Sequence, residues 1–243
     1  MQHQKFKIRL MAKIILFGNQ KGGVGKSTLT MLTATALSQP PFNLDVCVLD
    51  ADDQRSLCDL RQNDIGQDSE QKPPYEIRPA MLNDIHRDIR ELDRRFHVVF
   101  IDVAGKLDLN IAADKQEIIP YLSYVDLLFM PFVAGNFNVD ASAKYLKTVL
   151  HVQLSRQLSA RPLSVFGLVN MFRERSRVNG FLLEDIQNLR SVVDIQFMET
   201  HLRDYALFKE SDTLKSLYSE NSNDAAKLNF RNWIDEFANL LNQ

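Results

Sequence analysis

The residues best suited to chemistry lie in the short segment KGGVGKST. Gly22, Gly23 and Gly25 let the backbone curl so that its N–H groups face an anion without interference from a Cβ. Lys26 then supplies a cation and Ser27 a hydroxyl, the groups that contact the β- and γ-phosphates and a Mg²⁺ ion in nucleotide sites. The segment therefore predicts a loop that binds phosphate.

The sequence on each side of the segment supports this prediction. The apolar run KIILFG at 13–18 predicts a strand, and KSTLTMLTATALS at 26–38 has helical spacing. A strand, a glycine-rich turn and a helix place the dipole of the helix N-terminus at the anion. The nucleotide is therefore expected to contact the whole run Gly22, Gly23, Val24, Gly25, Lys26, Ser27 and Thr28. The alternative is a glycine-rich turn with an incidental GKS sequence.

Strand-like and helical segments alternate along the chain. Nearly continuous apolar runs predict buried strands at 13–18, 45–50, 97–102, 126–131 and 163–172. Helices are predicted at 26–38, 80–95, 110–122 and 139–158. This order predicts βαβ units in one α/β domain, with a mostly parallel sheet and helices on both faces, as in P-loop nucleoside triphosphatases. The polar segment 63–79 is interpreted as a surface loop.

Composition narrows the class of protein. The 45% hydrophobic and 25% charged residues are typical of a soluble globular domain. A net charge of -2 argues against binding of nucleic acid by bulk electrostatics, although it is compatible with a local basic patch. Cys47 and Cys58 form no C-x-x-C pair, so a reducing cytoplasm is expected. No apolar run reaches the ~18 residues of a membrane span.

A second lysine distinguishes this loop from the ordinary pattern G-x-x-x-x-G-K-[ST]. The chain has Gln20 where that pattern requires glycine, and Lys21 directly precedes the glycines. The segment NQKGGVGKST resembles the deviant Walker A motif of the ParA/MinD group of ATPases and is most similar to its ParA branch. The resemblance implies that Lys21 reaches across a dimer interface to the phosphates of the partner's nucleotide. The alternative is a solvated loop lysine.

The segment VCVLDADDQRSL resembles a second signature of the family, a strand ending in D-x-D-x-Q. The resemblance implies that Asp50 belongs to the metal site, and that Asp52 in switch I positions or activates the attacking water. Lys21, Lys26 and Asp52 are thus the predicted catalytic residues. Asp53 stands where the family usually has proline, and both Asp52 and Asp53 are alternatively plain turn formers.

The segment FHVVFIDVAGKLD resembles the Walker B strand and switch II. The resemblance implies that Asp102 presents its carboxylate to Mg²⁺, often through water, in a site shared with Ser27 and Asp50. The predicted cofactor is therefore Mg²⁺, with ATP as the substrate. The family usually continues D-T-P-P where this chain reads D-V-A-G, and Gly105 is a candidate amide contact for the γ-phosphate.

Later segments extend the resemblance towards the C-terminus. VFGLVNMFRERSRVNGFLLEDI resembles the strand that ends near the base, which implies that Asn170 contacts adenine; a strand-terminal asparagine is also a common cap. ETHLRDYALFKES resembles the stretch that follows. Residues 11–243 are accordingly interpreted as a ParA-like ATPase domain, and the polar, basic residues 1–10 as an N-terminal extension of unknown role.

The resemblance implies a DNA partition ATPase, cytoplasmic and associated with the nucleoid in its ATP state. Such a protein forms a homodimer around Mg-ATP, and a small DNA-binding partner protein stimulates its slow hydrolysis to ADP. In the ATP state it binds DNA nonspecifically, and the candidate contacts here are Arg173, Arg175, Arg177, Arg203 and Lys209. Glu174, Asp204 and Glu210 lie among them, so the alternative is an ordinary solvated surface.

Other roles within the group are also considered. A ParA-like protein of a conjugative or mobile element has the same motifs. A membrane-cycling ATPase of the MinD kind needs a terminal amphipathic helix with a basic polar face, whereas the segment 225–243 carries Asp235 and Glu236 there. We expect that segment to pack on the domain and expect no membrane contact. An iron–sulfur carrier needs other cysteine positions, and K-G-G-x-G-K argues against a biosynthetic ligase.

Overall fold

The structure is a computed structural model that describes residues 11–19, 21–52, 54–67, 72–81, 84–103, 122–135 and 139–242, with the backbone alone for 139–144. The strands in these ranges are β1 (Lys13–Phe17), β2 (Val46–Asp50), β3 (Glu76–Pro79), β4 (Val98–Asp102), β5 (Leu127–Phe132), β6 (Ser164–Val169) and β7 (Gln196–Phe197). They form one sheet in the order β3-β2-β4-β1-β5-β6-β7. All of these pairings are parallel, which confirms the predicted α/β class.

Helices cover the sheet on both faces. In the described ranges they are α1 (Lys26–Leu37), α2 (Ser56–Gln67), α3 (Ile85–Leu92), α4 (Val139–Arg156), α5 (Arg177–Val192), the single turn α6 (Ala206–Lys209) and α7 (Ala225–Leu240). Successive residues of β1 point to opposite faces. Ile14 and Leu16 belong to a buried cluster with α3, α4 and α5, whereas Ile15 and Phe17 belong to a second cluster with α1 and α7. The continuous apolar strands predict this arrangement.

The C-terminal helix α7 packs its apolar face into the core. All of its predicted apolar residues are buried: Phe230, Trp233, Ile234, Phe237, Leu240 and Leu241. The ring centroids of Phe237 and Phe129 on β5 lie 4.5 Å apart. On the polar side, the Glu236 carboxylate accepts hydrogen bonds from the backbone N–H groups of Glu199 and Thr200. The expectation that this segment packs on the domain is therefore correct. None of the described helices has the length and apolar character needed to cross a membrane.

The interpretation of 63–79 as a surface loop is wrong at both ends. Helix α2 continues to Gln67, and β3 adds an edge strand beside β2. Two of the three buried residues of α2, Arg61 and Asp64, are polar, so its sequence has only a short apolar stripe. Arg61 donates to the Thr213 hydroxyl at 2.7 Å and to the Tyr75 carbonyl at 2.8 Å. Asp64 accepts from the Thr213 hydroxyl at 2.7 Å, so these buried polar groups have the partners that burial requires.

Other boundaries differ more modestly. The predicted strand at 163–172 ends at Val169, α3 occupies only part of 80–95, and α4 ends two residues before 158. The sequence patterns also miss α5 and β7, because β7 is very short and α5 buries only Asn179, Leu182 and Ile186. The short helix α6 lies within ETHLRDYALFKES, the stretch in which the family resemblance implies that a helix begins. Apart from Leu122, the predicted helix at 110–122 lies outside the described residues.

Candidate functional site

The loop between β1 and α1 lies at the carboxyl edge of the sheet, next to its central strand. Gly23 and Gly25 have positive φ angles of 75° and 86°, a conformation that glycine adopts without steric cost. Helix α1 begins at Lys26, so its first N–H groups have no partners within the helix. The loop therefore has the geometry of an anion-binding turn at a helix N-terminus.

The end of β6 supports the loop from one side. Asn170 is buried, and its side-chain amide donates to the Val24 carbonyl at 2.9 Å. A Cβ on Gly25 would lie 2.6 Å from that amide nitrogen, so only glycine fits at this position. Met171, the next residue, has an uncommon positive φ of 53°. Asn170 thus holds the phosphate loop, and its predicted contact with adenine stays a prediction.

The side chain of one loop lysine forms a hydrogen bond with the backbone of the other. Lys26 is buried, and its Nζ donates to the Lys21 carbonyl at 3.2 Å. Burial lowers the pKa of Lys26, while the negative charges of Asp102 and Asp52 act in the opposite direction. The ammonium group therefore lies inside the loop and within electrostatic reach of both carboxylates. Lys21 is half-buried at the front of the loop, and its N–H donates to Oδ1 of Asn19 at 3.1 Å.

Two aspartates lie beside the loop with incomplete hydrogen bonding. Asp50 and Asp102 end β2 and β4 and are direct neighbours in the register of these strands. Both oxygens of Asp102 and the Oδ1 of Asp50 are buried, and none of the three accepts a well-formed hydrogen bond in the described part of the chain, although the Ser27 hydroxyl lies near enough to Asp102 to act on its pKa. Such oxygens are costly to bury unless a cation or donor satisfies them, so they fit a Mg²⁺ ion. The described residues contain no cluster of three or more His, Cys, Asp or Glu that holds a metal alone; phosphate and water would complete the Mg²⁺ shell.

The second oxygen of Asp50 has a role that its position in the sequence does not indicate. Its Oδ2 accepts hydrogen bonds from the N–H groups of Leu57 at 3.1 Å and Cys58 at 2.9 Å, in the first turn of α2. These bonds satisfy two N–H groups that have no partner within the helix, and the helix dipole stabilises the carboxylate. Asp50 therefore joins the site to α2 and retains one oxygen for a metal.

Asp52 lies in the turn that follows β2, at the carboxyl edge of the sheet. Its Oδ1 accepts from the N–H of Gln54 at 3.0 Å, and its carbonyl accepts from the N–H of Arg55 at 2.9 Å. These bonds match the turn-forming alternative. The charge of Asp52 nevertheless affects the pKa values of both Lys26 and Asp102, so the carboxylate also belongs to the electrostatics of the site. Asp53 and Gly105 lie outside the described residues.

The protonation of Asp102 is expected to make stability depend on pH. Burial raises the pKa of Asp102 from 3.8 to about 7, assisted by the charges of Asp50 and Asp52 and opposed by the Ser27 hydroxyl and Lys26. Between these two pKa values the native state holds a proton that the unfolded state has lost. The stabilisation is therefore complete below the lower value and is lost as the pH rises through the higher one. The free energy of unfolding should fall by about 1.4 kcal/mol per pH unit in this window.

Urea unfolding at pH 5, 6, 7 and 8, without nucleotide or Mg²⁺, measures this effect. Residue 102 cannot titrate in the Asp102→Asn variant. Its free energy of unfolding should therefore fall less steeply with pH than that of the wild type, by about 1.4 kcal/mol per pH unit within the window. Asp194→Asn is the matched control, since Asp194 is exposed and its variant should keep the wild-type slope. Equal slopes for the wild type and Asp102→Asn would contradict the assignment.

Three of the five candidate DNA-binding cations form ion pairs. Asp204 accepts from Nε of Arg173 at 2.8 Å and pairs with Nζ of Lys209 at 2.7 Å. Arg203 pairs with Glu174. The segments after β6 and β7 are thereby held together, so these cations are partly neutralised by carboxylates.

The two remaining candidates lie at the start of α5. Arg175 and Arg177 are exposed and have no carboxylate partner among the described residues. The Arg177 guanidinium lies 5.5 Å from the ring centroid of Phe181, which is half exposed. Arg175 and Arg177 are therefore the cations of this set with the greatest freedom to contact a phosphate backbone.

A parallel sheet with a phosphate loop after its central strand and two strand-terminal aspartates defines a P-loop nucleotide-binding protein. A model of the CobQ/CobB/MinD/ParA nucleotide-binding domain matches residues 15–213. The chain belongs to this family, whose ParA and MinD members are nucleotide-binding ATPases. No protein among those of curated function matches the sequence significantly.

Solved structures show the same fold at low sequence identity. A putative plasmid partition protein from Borrelia burgdorferi bound to AMPPNP is 18% identical with a TM-score of 0.65, covering 94% of this chain and 99% of that one. Cobyrinic acid a,c-diamide synthase from Mycobacterium smegmatis with ADP and magnesium is 15% identical with a TM-score of 0.61, covering 93% of each chain. The Cyanothece McdA–ATP complex is 14% identical with a TM-score of 0.62, covering 93% and 96%.

Proposed function

We propose that the protein is an ATPase that binds Mg-ATP in its phosphate loop, dimerises around the nucleotide and acts in the partition of DNA. The observation that carries the proposal is the pair of lysines in one loop. Lys26 is buried within the loop, whereas Lys21 stands at its front without a carboxylate partner in the described part of the chain. A cation at the front of the loop with no carboxylate partner among the described residues is suited to act on another subunit's nucleotide.

Each residue of the site has a role in this proposal. Lys26 and the loop N–H groups bind the phosphates, and Ser27, Asp50 and Asp102 hold Mg²⁺. When bound, Mg²⁺ neutralises charge on the β- and γ-phosphates. Asp52 orients the attacking water through its carboxylate, which lies in the turn after β2 at the carboxyl edge of the sheet.

The trans action of Lys21 supplies the charge that hydrolysis needs. As the γ-phosphoryl group leaves ADP, negative charge develops on its oxygens and on the leaving oxygen. A lysine from the partner subunit neutralises this charge only in the dimer, so hydrolysis and dimerisation are coupled. The protein alone is therefore expected to turn over slowly, and a small DNA-binding partner protein is the expected activator.

The DNA role is supported by the ParA-type spacing of the loop and by similarity to a plasmid partition protein. Arg175 and Arg177 supply two cations per subunit, and four per dimer, that have no carboxylate partner among the described residues. Nonspecific DNA contacts of this kind recognise the phosphate charge rather than the base sequence. Because the net charge of the protein is -2, DNA binding would depend on such local cations and not on the overall charge. A ParA-like protein of a mobile element would share this biochemistry.

A biosynthetic ATP-dependent enzyme is the second candidate, because cobyrinic acid a,c-diamide synthase has the same fold at a similar TM-score. Fold similarity therefore does not separate the two roles. The sequence K-G-G-x-G-K favours the first, because the lysine before the glycines is the feature by which this loop resembles that of the ParA branch.

DNA binding that depends on the nucleotide tests the proposal. With ATP and Mg²⁺ the protein should retard random duplex DNA, whereas with ADP it should not, because only the ATP dimer presents four cations together. Log affinity against log salt concentration should then have a slope of about -4, from roughly 0.9 per phosphate contact. An electrophoretic shift assay over a salt series measures both quantities.

A charge-matched pair of variants makes the assay specific. The double variant Arg175→Ala/Arg177→Ala should lose most of the DNA affinity and most of the salt slope. The control Arg87→Ala/Arg94→Ala removes two exposed arginines at α3 and should retain both properties. Equal DNA affinity with ATP and ADP, or no binding with either, would reject the partition role and favour the biosynthetic alternative.

A further inference from the structure

We propose that Asn19 is a positioning residue that fixes the direction of Lys21 by anchoring it to strand β5. The inference rests on the proposed function, in which Lys21 acts on the nucleotide of the partner subunit. Among the described residues, the Asn19 side chain forms hydrogen bonds with Pro131 and Lys21 and with none of the loop glycines or site aspartates. Its position before the loop does not by itself indicate a role.

The side chain of Asn19 bridges two parts of the site that are far apart in the sequence. Its Nδ2 donates to the Pro131 carbonyl on β5 at 2.8 Å, and its Oδ1 accepts from the Lys21 N–H at 3.1 Å. Just before it, the Gly18 N–H donates to the Phe129 carbonyl at 2.9 Å, which continues the contact between β1 and β5. The Asn19 side chain thus links strand β5 of the sheet to the front of the loop.

The backbone of Lys21 is therefore held on both sides by side chains. Asn19 accepts its N–H, and the Nζ of Lys26 donates to its carbonyl at 3.2 Å. The Lys26 ammonium must turn to the phosphates when ATP binds, so its bond to the Lys21 carbonyl is the one that nucleotide binding competes away. Asn19 is then the side-chain anchor that remains for Lys21 in the ATP state.

This anchor matters because lysine is a long and flexible side chain. Its ammonium reaches a partner's phosphate productively only if its backbone starts from a defined position, and small misplacements of a reacting group are costly. Removing Asn19 leaves other supports of the loop intact, since Asn170 still donates to the Val24 carbonyl and the Leu29 N–H still donates to the Gly25 carbonyl. Nucleotide binding should therefore survive while hydrolysis weakens.

Asn19→Ala separates these two effects. Its kcat for ATP hydrolysis should fall roughly 10- to 100-fold, as expected for a misplaced catalytic group, while its ADP affinity by calorimetry should stay within about threefold of wild type, because Lys26 and the loop amides are unchanged. Asn188→Ala is the matched control, because the Asn188 side chain is exposed on α5; it should retain both values.

A double-mutant cycle with Lys21→Ala shows whether Asn19 acts through Lys21. If it does, Asn19→Ala should cause no further loss of kcat once Lys21 is already alanine. A full multiplicative loss in that background, or a normal kcat for Asn19→Ala in the presence of Lys21, would overturn the inference while leaving the proposed ATPase function in place.

Hydrogen exchange gives a second readout that does not require turnover. The Lys21 N–H is expected to exchange at least ~10-fold faster in Asn19→Ala than in wild type or Asn188→Ala, since loss of the anchor opens the front of the loop. Unchanged protection of this amide would reject the anchor directly. A wild-type protein that hydrolyses no ATP would reject the proposed function instead, and the exchange experiment would still decide whether the anchor exists.

Discussion

Lys26→Ala is expected to show no binding of Mg-ATP at concentrations that saturate the wild-type protein. Lys26 is the buried cation of the phosphate loop, and its ammonium lies against the loop backbone at the Lys21 carbonyl. Without it, the β- and γ-phosphates would lie beside Asp50 and Asp102 with several negative charges and no lysine of the same subunit to offset them. Loss of charge-assisted bonds worth about 3 kcal/mol or more corresponds to at least ~100-fold in affinity.

Isothermal calorimetry with ATP or ADP in the presence of Mg²⁺ measures this loss. Lys147→Ala serves as the control because Lys147 is exposed on α4, and it should bind as the wild type does. Thermal unfolding without nucleotide should show that Lys26→Ala is folded, since the substitution removes a buried charge and leaves the helix intact. An unchanged ATP affinity in Lys26→Ala would show that the loop does not bind the phosphates.

The parts of this molecule that the sequence predicts correctly depend on local patterns. Strand β1, the glycines and helix α1 follow one another without interruption, so their spacing alone specifies a phosphate loop. The strands ending at Asp50 and Asp102 are continuous apolar runs, and parallel pairing then brings the two carboxylates together. Such features need no knowledge of distant contacts.

The parts that the sequence does not predict depend on partners far along the chain. Helix α2 is stabilised through Arg61 and Asp64, whose partner Thr213 lies about 150 residues later. The anchor between Asn19 and Pro131 spans 112 residues, and no periodic pattern marks it. The only local signal at Asn19 is that asparagine readily accepts a hydrogen bond from the N–H two residues later.

The ion pairs between charged side chains also do not follow from their spacing in the sequence. Arg173, Arg203 and Lys209 look like part of one basic patch, but Asp204 and Glu174 pair with them in the fold. A sequence shows how many charges a segment carries, whereas the fold decides which of them face each other. Of the five candidate cations, only Arg175 and Arg177 have no carboxylate partner among the described residues.

Lys21→Ala and Asp52→Ala are expected to fail in opposite ways, and this contrast is the strongest test of the dimer mechanism. Lys21→Ala should still bind nucleotide through Lys26 and the loop amides, but it should lose dimerisation and hydrolysis together. Its turnover should fall by ~10³-fold or more, as when an arginine finger is removed. Asp52→Ala keeps both lysines and loses the carboxylate that orients water, so it should accumulate as a stable ATP dimer.

Light scattering with ATP and Mg²⁺, beside turnover rates, distinguishes the two variants, with Lys147→Ala as the shared control. Mixing subunits adds a direct test of action in trans. Lys26→Ala subunits bind no ATP but retain Lys21, so they should restore part of the turnover of Lys21→Ala subunits, whose own site holds the nucleotide. A lysine acting within its own subunit predicts no recovery. Normal hydrolysis by a monomeric Lys21→Ala protein would exclude the trans mechanism, because Lys26 and Asp52 would then suffice for catalysis in one subunit.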